Sequence, residues 1–388
     1  IGKVPFKNCT TLKTVNLPIT VDYSSAMFEG CNSLTNFIFK AGTNGVGHDY
    51  TSATAKLTPW YGVCGEYDFT VSFDEGIKEI GDYMFYGCVQ SGSGGTRGMY
   101  GTVTILDSVT SIGRNAFDGC YKVTEFVFGT GLTTIGVEAF KGCSQFTYLT
   151  IEDSMTSIGA GAFSGCSGIE TLTLPAHVNA VGSATNPIFG GCTGIERIVL
   201  TGTTSFDYVG SSSDKYYQCT PWYFSKDNSI DIVISDSITS IGDYMFMDCT
   251  GFKGSLVITS TIKDIGKNAF ANCTSISSVD IQDHNIKLAA GSFKGCTGIN
   301  TLTIPMTLNA VVSDSDPVFN GCTGIRTLVL TGNGAGINYT DSVGSGVNYQ
   351  CTPWYYSRDN TISTSIGSGI TSIGSNMFRG CSGMYGTS

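Results

Sequence analysis

Ile169-Glu170-Thr171-Leu172-Thr173-Leu174-Pro175 ends in an alternation of period two, the spacing that a β-strand imposes on side chains facing one side. The same pattern returns as Ile299-Asn300-Thr301-Leu302-Thr303-Ile304-Pro305 and as Ile325-Arg326-Thr327-Leu328-Val329-Leu330. Just upstream of the first copy stand Ala162-Phe163 and Cys166, and Phe-x-x-Cys is the more widespread mark. It occurs twelve times, with Phe at 6, 28, 85, 117, 140, 163, 189, 246, 270, 293, 319 and 378. The intervals are 22, 57, 32, 23, 23, 26, 57, 24, 23, 26 and 59. A period near 23 residues is the signature of a stack of identical supersecondary units, each too small to bury its own apolar set. The three long intervals mark coils that carry an insert.

A second order lies over the first. The block of intervals 57-32-23-23-26 is followed by 57-24-23-26, and the two span 161 and 130 residues. They differ by one 23-residue coil and 8 residues, the latter matching the Gly-rich stretch from Ser91 to Gly98. Duplication of a multi-coil unit accounts for the chain. Within a coil, the strand is followed by a loop such as Thr239-Ser240-Ile241-Gly242, whose Ile turns inward and whose Gly permits a tight bend. Ala-Phe pairs such as Ala116-Phe117 and Ala269-Phe270 then supply the opposite wall. The expected fold is an α/β-type repeat solenoid with one short parallel strand per coil, mostly β and loop, with little regular helix. Residues 1–388 form one continuous array, with inserts at about 40–68, 201–229 and 331–361. The chain begins and ends inside coils, which is expected of a piece cut from a longer protein.

Charged residues are 13% of the chain, about half the usual fraction, so Ser, Thr, Gly and Asn must make the surface. A net charge of −10 argues against nucleic-acid partners, which need a basic footprint. No apolar run approaches the roughly 18 residues of a membrane span.

These coils resemble the BspA-like leucine-rich repeats of bacterial and protist cell-surface proteins, through Cys-x-x-Ile/Leu-x-x-Leu-x-Ile/Leu-Pro followed by Ile-Gly-x-x-Ala-Phe-x-Gly-Cys. The resemblance covers essentially the whole chain; coils such as the one holding Asp283-His284-Asn285-Ile286 lose the Ser-Ile-Gly turn. It implies surface display, adhesion and an extracellular or cell-surface location.

Twelve of the fifteen cysteines hold one coil position just ahead of the strand. Neighbouring Cα atoms about 4.8 Å apart are within disulfide range, but side chains in a ladder point the same way and do not suit the disulfide dihedral. That geometry favours a buried ladder of thiols, with some adjacent disulfides or a metal as the alternatives. Cys64, Cys219 and Cys351 lie in the inserts and are better placed for disulfides.

All three tryptophans fall in one motif: Thr58-Pro59-Trp60-Tyr61, Thr220-Pro221-Trp222-Tyr223 and Thr352-Pro353-Trp354-Tyr355. The same Pro-Trp-Tyr module accompanies the repeats that the chain resembles. Two readings compete. Trp60, Tyr61, Trp222, Tyr223, Trp354 and Tyr355 are candidate ligand contacts, because Trp and Tyr join a rigid apolar face to a polar tip. Alternatively each Trp is a plug pinning its insert to the solenoid. The last outward position of the strand before each insert is aliphatic (Ile38, Val199 and Val329), which predicts that the insert folds over it.

Enzyme signatures are missing. His48, His177 and His284 fall at unrelated coil phases, and no phosphate-loop, nucleophile-elbow or zinc-protease motif occurs. Asp314-Ser315-Asp316 only hints at calcium and reads as a solvated turn. The chain is therefore expected to be no enzyme, without cofactor or metal. It is expected to be a surface or secreted module that binds protein on a host or neighbouring cell. Glycan binding by the Trp-Tyr inserts, or a passive spacer array, are the alternatives.

Overall fold

The computed structural model describes residues 5–23, 27–50, 60, 63, 67–92, 95–180, 182–183, 185–205, 207–208, 218, 220–282, 285–308, 316–339 and 349–386. Two compact units, Ile1–Val199 and Leu200–Ser388, make up the chain. Both are stacks of parallel β coils, and the helical segments among the described residues are single 3₁₀ turns such as Tyr223–Ser225 and Tyr355–Ser357.

In the first unit, strands Thr14–Pro18, Asn36–Lys40 and Thr70–Phe73 pair in parallel. Their inward residues stand in register as Val15, Phe37 and Val71, then Leu17, Phe39 and Phe73, all buried. Strands Gly101–Ile105 and Val123–Phe128 pair in the same sense, as do Tyr148–Thr150 and Thr171–Pro175. In the second unit, Gly254–Ile258, Ile276–Ile281, Thr301–Pro305, Thr327–Thr331, Ile362–Ile366 and Met384–Gly386 form one six-stranded parallel sheet. The period-two pattern thus puts aliphatics in the core and Thr or Ser outside.

The Ser-Ile-Gly stretch, expected as a loop, is a second strand. Glu79–Ile80, Ser111–Ile112, Thr134–Ile135 and Ser157–Ile158 pair in parallel, and in the second unit so do Ser240–Ile241, Asp264–Ile265 and Lys287–Leu288. Each Ile or Leu of this second sheet is buried, as its sequence position implied. The role of the glycine differs from the expectation. A Cβ on Gly136 would lie 2.5 Å from the main-chain carbon of Gly113, and one on Gly113 would lie 2.6 Å from the Asp82 nitrogen. Close approach of successive coils, rather than a tight bend, excludes any side chain there.

The bends lie elsewhere, two residues before and two after the ladder Phe. Asn115 (φ 50°) and Gly119 (φ 80°) bracket Phe117, and Asn268 (φ 51°) and Asn272 (φ 63°) bracket Phe270. Glycine and asparagine dominate these positions because left-handed backbone strains other residues. This explains the Gly-Cys spelling of most coils.

Between the two sheets the phenylalanines stack. Phe85, Phe117, Phe140, Phe163 and Phe189 follow one another at 5.1, 5.3, 5.3 and 5.2 Å, with ring planes within 16° of parallel. Phe246, Phe270, Phe293 and Phe319 repeat this at 5.3, 5.3 and 5.0 Å. A ladder of main-chain bonds runs alongside: the Phe117 N–H donates to Ala139 O at 2.7 Å, and the Phe140 N–H to Ala162 O at 2.8 Å.

The cysteines form the thiol ladder. Eight of them, Cys31, Cys120, Cys143, Cys166, Cys192, Cys273, Cys296 and Cys322, donate to the carbonyl of the ladder Phe one coil back, as Cys143 does to Phe117 at 3.2 Å, Cys166 to Phe140 at 3.1 Å and Cys296 to Phe270 at 3.0 Å. None of the described cysteines is in a disulfide. Burial pushes the Cys192 and Cys296 thiols up to about 12, and holds Cys143, Cys166 and Cys273 well above the usual thiol range. Cys351 is likewise a buried thiol rather than a half-cystine, and Cys64 and Cys219 lie outside the described residues. The Gly-rich extra stretch of the first unit belongs to an antiparallel hairpin, Val89–Gly92 with Gly95–Gly98. It springs from the coil where the Met99 N–H donates to Cys88 O at 2.9 Å.

Candidate binding surfaces

Each long Phe-to-Phe interval holds two coils, and the tryptophan supplies the missing ladder rung. Trp60 stacks between Phe28 at 6.4 Å and Phe85 at 5.8 Å. Trp222 stacks on Phe246 at 4.9 Å, and Trp354 on Phe378 at 5.3 Å. The indole also replaces a main-chain amide. Its N–H donates to Met84 O at 2.5 Å in the first copy, to Met245 O at 2.9 Å in the second and to Met377 O at 3.1 Å in the third. Those carbonyls sit one residue before the next ladder Phe, where the Phe N–H donates in a regular coil. The three indoles are 1%, 0% and 2% exposed, so their rings offer no face to a ligand in this structure.

The thiol rung is replaced as well. Three residues after each Trp stand Val63, Ser225 and Ser357, all buried. Each N–H donates back to its own Trp carbonyl, at 2.8, 2.9 and 2.9 Å, as each Cys N–H does to its Phe. Ser357 Oγ donates to Cys322 O at 2.7 Å and accepts the Ile325 N–H at 3.0 Å. In the second and third copies Trp-x-x-Ser thus takes the place of Phe-x-x-Cys at the same three-residue spacing, although Ser357 bonds the carbonyl of the preceding coil's Cys322 and not that of its Phe. A further pair also went unread. Asp49-Tyr50, Asp207-Tyr208 and Asn338-Tyr339 precede the three tryptophans. Each tyrosine is buried, and each Asp or Asn accepts a main-chain N–H of the next coil, from Asp82, Asp243 and Ser375 at 2.8–2.9 Å.

The prediction that the inserts cover Ile38, Val199 and Val329 is corrected. All three remain half-exposed, like Thr171 and Thr301 on strands without an insert. The inserts pin themselves through the core instead. What the tryptophan turns leave at the surface are the residues that follow. Tyr223 and Phe224 meet edge to face at 5.9 Å, with Lys226 Nζ 5.8 Å from the Tyr223 ring centre. Tyr355 and Tyr356 meet at 5.4 Å, with the Arg358 guanidinium 4.3 Å from the Tyr355 ring centre. Tyr61 lies outside the described residues, as does Asp314, while Asp316 pairs with Lys294 at 3.0 Å.

The outward sheet face is the second candidate surface. In the second unit its rows run Ser278, Thr301, Thr327, Ser363 and Asp280, Thr303, Val329, Ser365, one strand step apart. In the first, Thr102 and Thr104 neighbour Glu125 and Val127, and Tyr148 and Thr150 neighbour Thr171 and Thr173. Hydroxyls and β-branched methyls dominate this face. Among the described residues no helix is long and apolar enough to cross a membrane.

The chain matches the model for the BspA type leucine rich repeat region in six copies, over residues 1–58, 100–219 and 218–340. No curated protein is significantly similar to it. Among solved structures, a leucine-rich repeat protein from Bacteroides ovatus is 22% identical, covering 96% of this chain and 85% of its own at a TM-score of 0.42. A leucine rich cell surface protein from Faecalibacterium prausnitzii is 18% identical, over 83% of this chain and 80% of its own, at 0.28. The pneumococcal vaccine antigen PcpA is 15% identical, over 89% and 92%, at 0.29. With a repeat model matched over most of its length, and with the coil geometry that the repeat demands, the chain belongs to the BspA-type leucine-rich-repeat family.

Proposed function

We propose that the chain is a cell-surface or secreted binding module, not an enzyme, and that it recognises protein on a host or neighbouring cell through its outward sheet face. One observation supports this reading above the others. The tryptophans offered as ligand contacts are consumed by the core, while the sheet face of the second unit presents rows of Thr, Ser and Val in which Asp280 is the single carboxylate. Solenoids use such extended surfaces for partners. A face of this kind can be covered at small desolvation cost, since its hydroxyls rotate to new acceptors. The test is attachment of chain-coated beads to a panel of immobilised extracellular-matrix proteins. Thr173→Arg and Thr303→Arg, on the sheet face, should reduce attachment by at least tenfold. Ser157→Arg, on the second sheet, should not. Equal loss in all three, or in none, would remove the sheet face from the mechanism.

The paired rings Tyr223–Phe224 and Tyr355–Tyr356 favour glycan binding as a second reading, because perpendicular, partly exposed rings offer a stacking corner for a sugar. Retention on a glycan array that disappears in Tyr223→Ala and Tyr355→Ala, at unchanged melting temperature, would support it.

A further inference from the structure

The sheet face of the first unit has a centre. Tyr148 is 64% exposed, the most exposed large apolar side chain among the described residues, and it stands in register with Thr171. Val127, 42% exposed, lies on the preceding strand. One exposed tyrosine is ordinary on any surface. Its surroundings are not.

Carboxylates stand on the neighbouring coil and at the ends of these strands. Glu125 stands one coil back on the same face, its Oε2 accepting the Thr102 hydroxyl at 2.8 Å. Where the strands enter, Glu170 and Glu196 stack one coil apart, the Glu196 N–H donating to Glu170 O at 2.9 Å. Where the Tyr148 strand leaves, Glu152 and Asp153 follow. Among the described residues Glu152, Glu170 and Glu196 form no ion pair. Of the bases of these coils, Lys122 pairs with Asp68 at 2.5 Å and Lys141 with Glu138 at 2.8 Å, while Arg197 stands exposed at the start of the strand beside Thr171–Pro175. Like charges on neighbouring strands destabilise a sheet, and a cation laid across them relieves that cost.

We propose that this face docks a basic, arginine-bearing segment of a protein partner, with Tyr148 as its anchor. The proposal rests on the protein-binding reading above and names its site and partner chemistry. A guanidinium fits better than an ammonium: its plane lies on the phenol ring while its N–H fork reaches a carboxylate, here Glu125 or Glu170. A neutral glycan would use the ring and leave the carboxylates without a role.

The test is fluorescence anisotropy of the whole chain with fluorescein-labelled nona-arginine and nona-lysine at physiological ionic strength. Tyr148→Ala should weaken nona-arginine about fivefold and nona-lysine less than twofold, since stacking on the ring favours guanidinium. Glu170→Gln with Glu196→Gln should weaken both peptides about threefold or more. Tyr385→Ala, which removes another exposed tyrosine, should change neither. The site is overturned if Tyr148→Ala leaves nona-arginine binding unchanged, or if Tyr385→Ala costs as much. It is also overturned if neither peptide binds. The bead assay separates this proposal from its parent. Attachment that ignores sheet-face arginines, beside Tyr148-dependent peptide binding, would sink the adhesive reading and leave the docking site standing.

Discussion

Trp222→Phe keeps a ring on the ladder and deletes one hydrogen bond, which makes it the sharpest probe of the substituted rung. The indole N–H meets Met245 O at 2.9 Å in a fully buried setting. Phenylalanine cannot reach that carbonyl, and a dry unpaired acceptor costs about 1–3 kcal/mol. The smaller ring also leaves unfilled volume beside Phe246, worth about 1–2 kcal/mol more. The expected loss is therefore about 3 kcal/mol, and Trp222→Ala, which removes the ring too, should cost about 5 kcal/mol. Urea unfolding followed by far-ultraviolet circular dichroism measures both, with the emission of Trp60 and Trp354 as local reporters. Coils contact only their neighbours, so the first coils to open should be those around residues 222–246. Hydrogen exchange at the Phe246 amide would show this. If Trp222→Phe costs under about 0.5 kcal/mol and Trp222→Ala under about 1 kcal/mol, the indole is no rung and the account of the inserts fails.

Other consequences can be measured on the same material. Gly165→Ala, where φ is +77° and the nearest atom to a new Cβ is 3.6 Å away, should cost only torsional strain, about 1–2 kcal/mol in a denaturant midpoint. Gly136→Ala, whose Cβ would sit 2.5 Å from main chain, should cost distinctly more, and the reverse order would contradict the close-stacking role. Cys143→Ser should lose about 1 kcal/mol or less, because a hydroxyl can keep donating to Phe117 O; Cys143→Ala, which leaves that carbonyl without its donor, should lose more. The thiols should resist a disulfide-exchange reagent until denaturant is added. Burial makes them weaker acids in the folded chain than in the unfolded one, so stability should hold below about pH 8 and fall as pH climbs toward the folded range near 12. The slope is about 1.4 kcal/mol per pH unit for each thiol that titrates. A flat alkaline profile in thermal melts would contradict the buried ladder.

The coil was legible because its determinants are local and repeat. Leu172 and Leu174 alternate at the period of a strand, Phe163 and Cys166 recur at a fixed offset, and both features survive as buried residues. What escaped depends on contacts between coils. Ser240–Ile241 is too short to show a strand period, and it becomes one only because Asp264–Ile265 lies beside it. The glycine of that stretch reads as a bend in sequence, which shows a missing side chain and not which backbone fills its place. The tryptophan was half legible. Its place in an insert made a plug one of two readings, but an indole N–H standing in for a main-chain amide is a coincidence of three-dimensional reach. Of the candidate ligand contacts, Tyr223 and Tyr355 keep part of their surface, whereas the indoles of Trp60, Trp222 and Trp354 do not.

The Trp rung also changes what the chain can tolerate. From ladder Phe to Trp the chain takes 32, 33 and 35 residues in the three copies, while from Trp to the next ladder Phe it takes 25, 24 and 24. Length varies by three residues on the entry side and by one on the exit side, as expected if the indole sets where the next coil begins. Each insert is thus a splice point at which new sequence can be admitted without shifting the phase of the stack. A solenoid built this way can alter three of its loops through gains and losses of residues while every regular coil keeps its register.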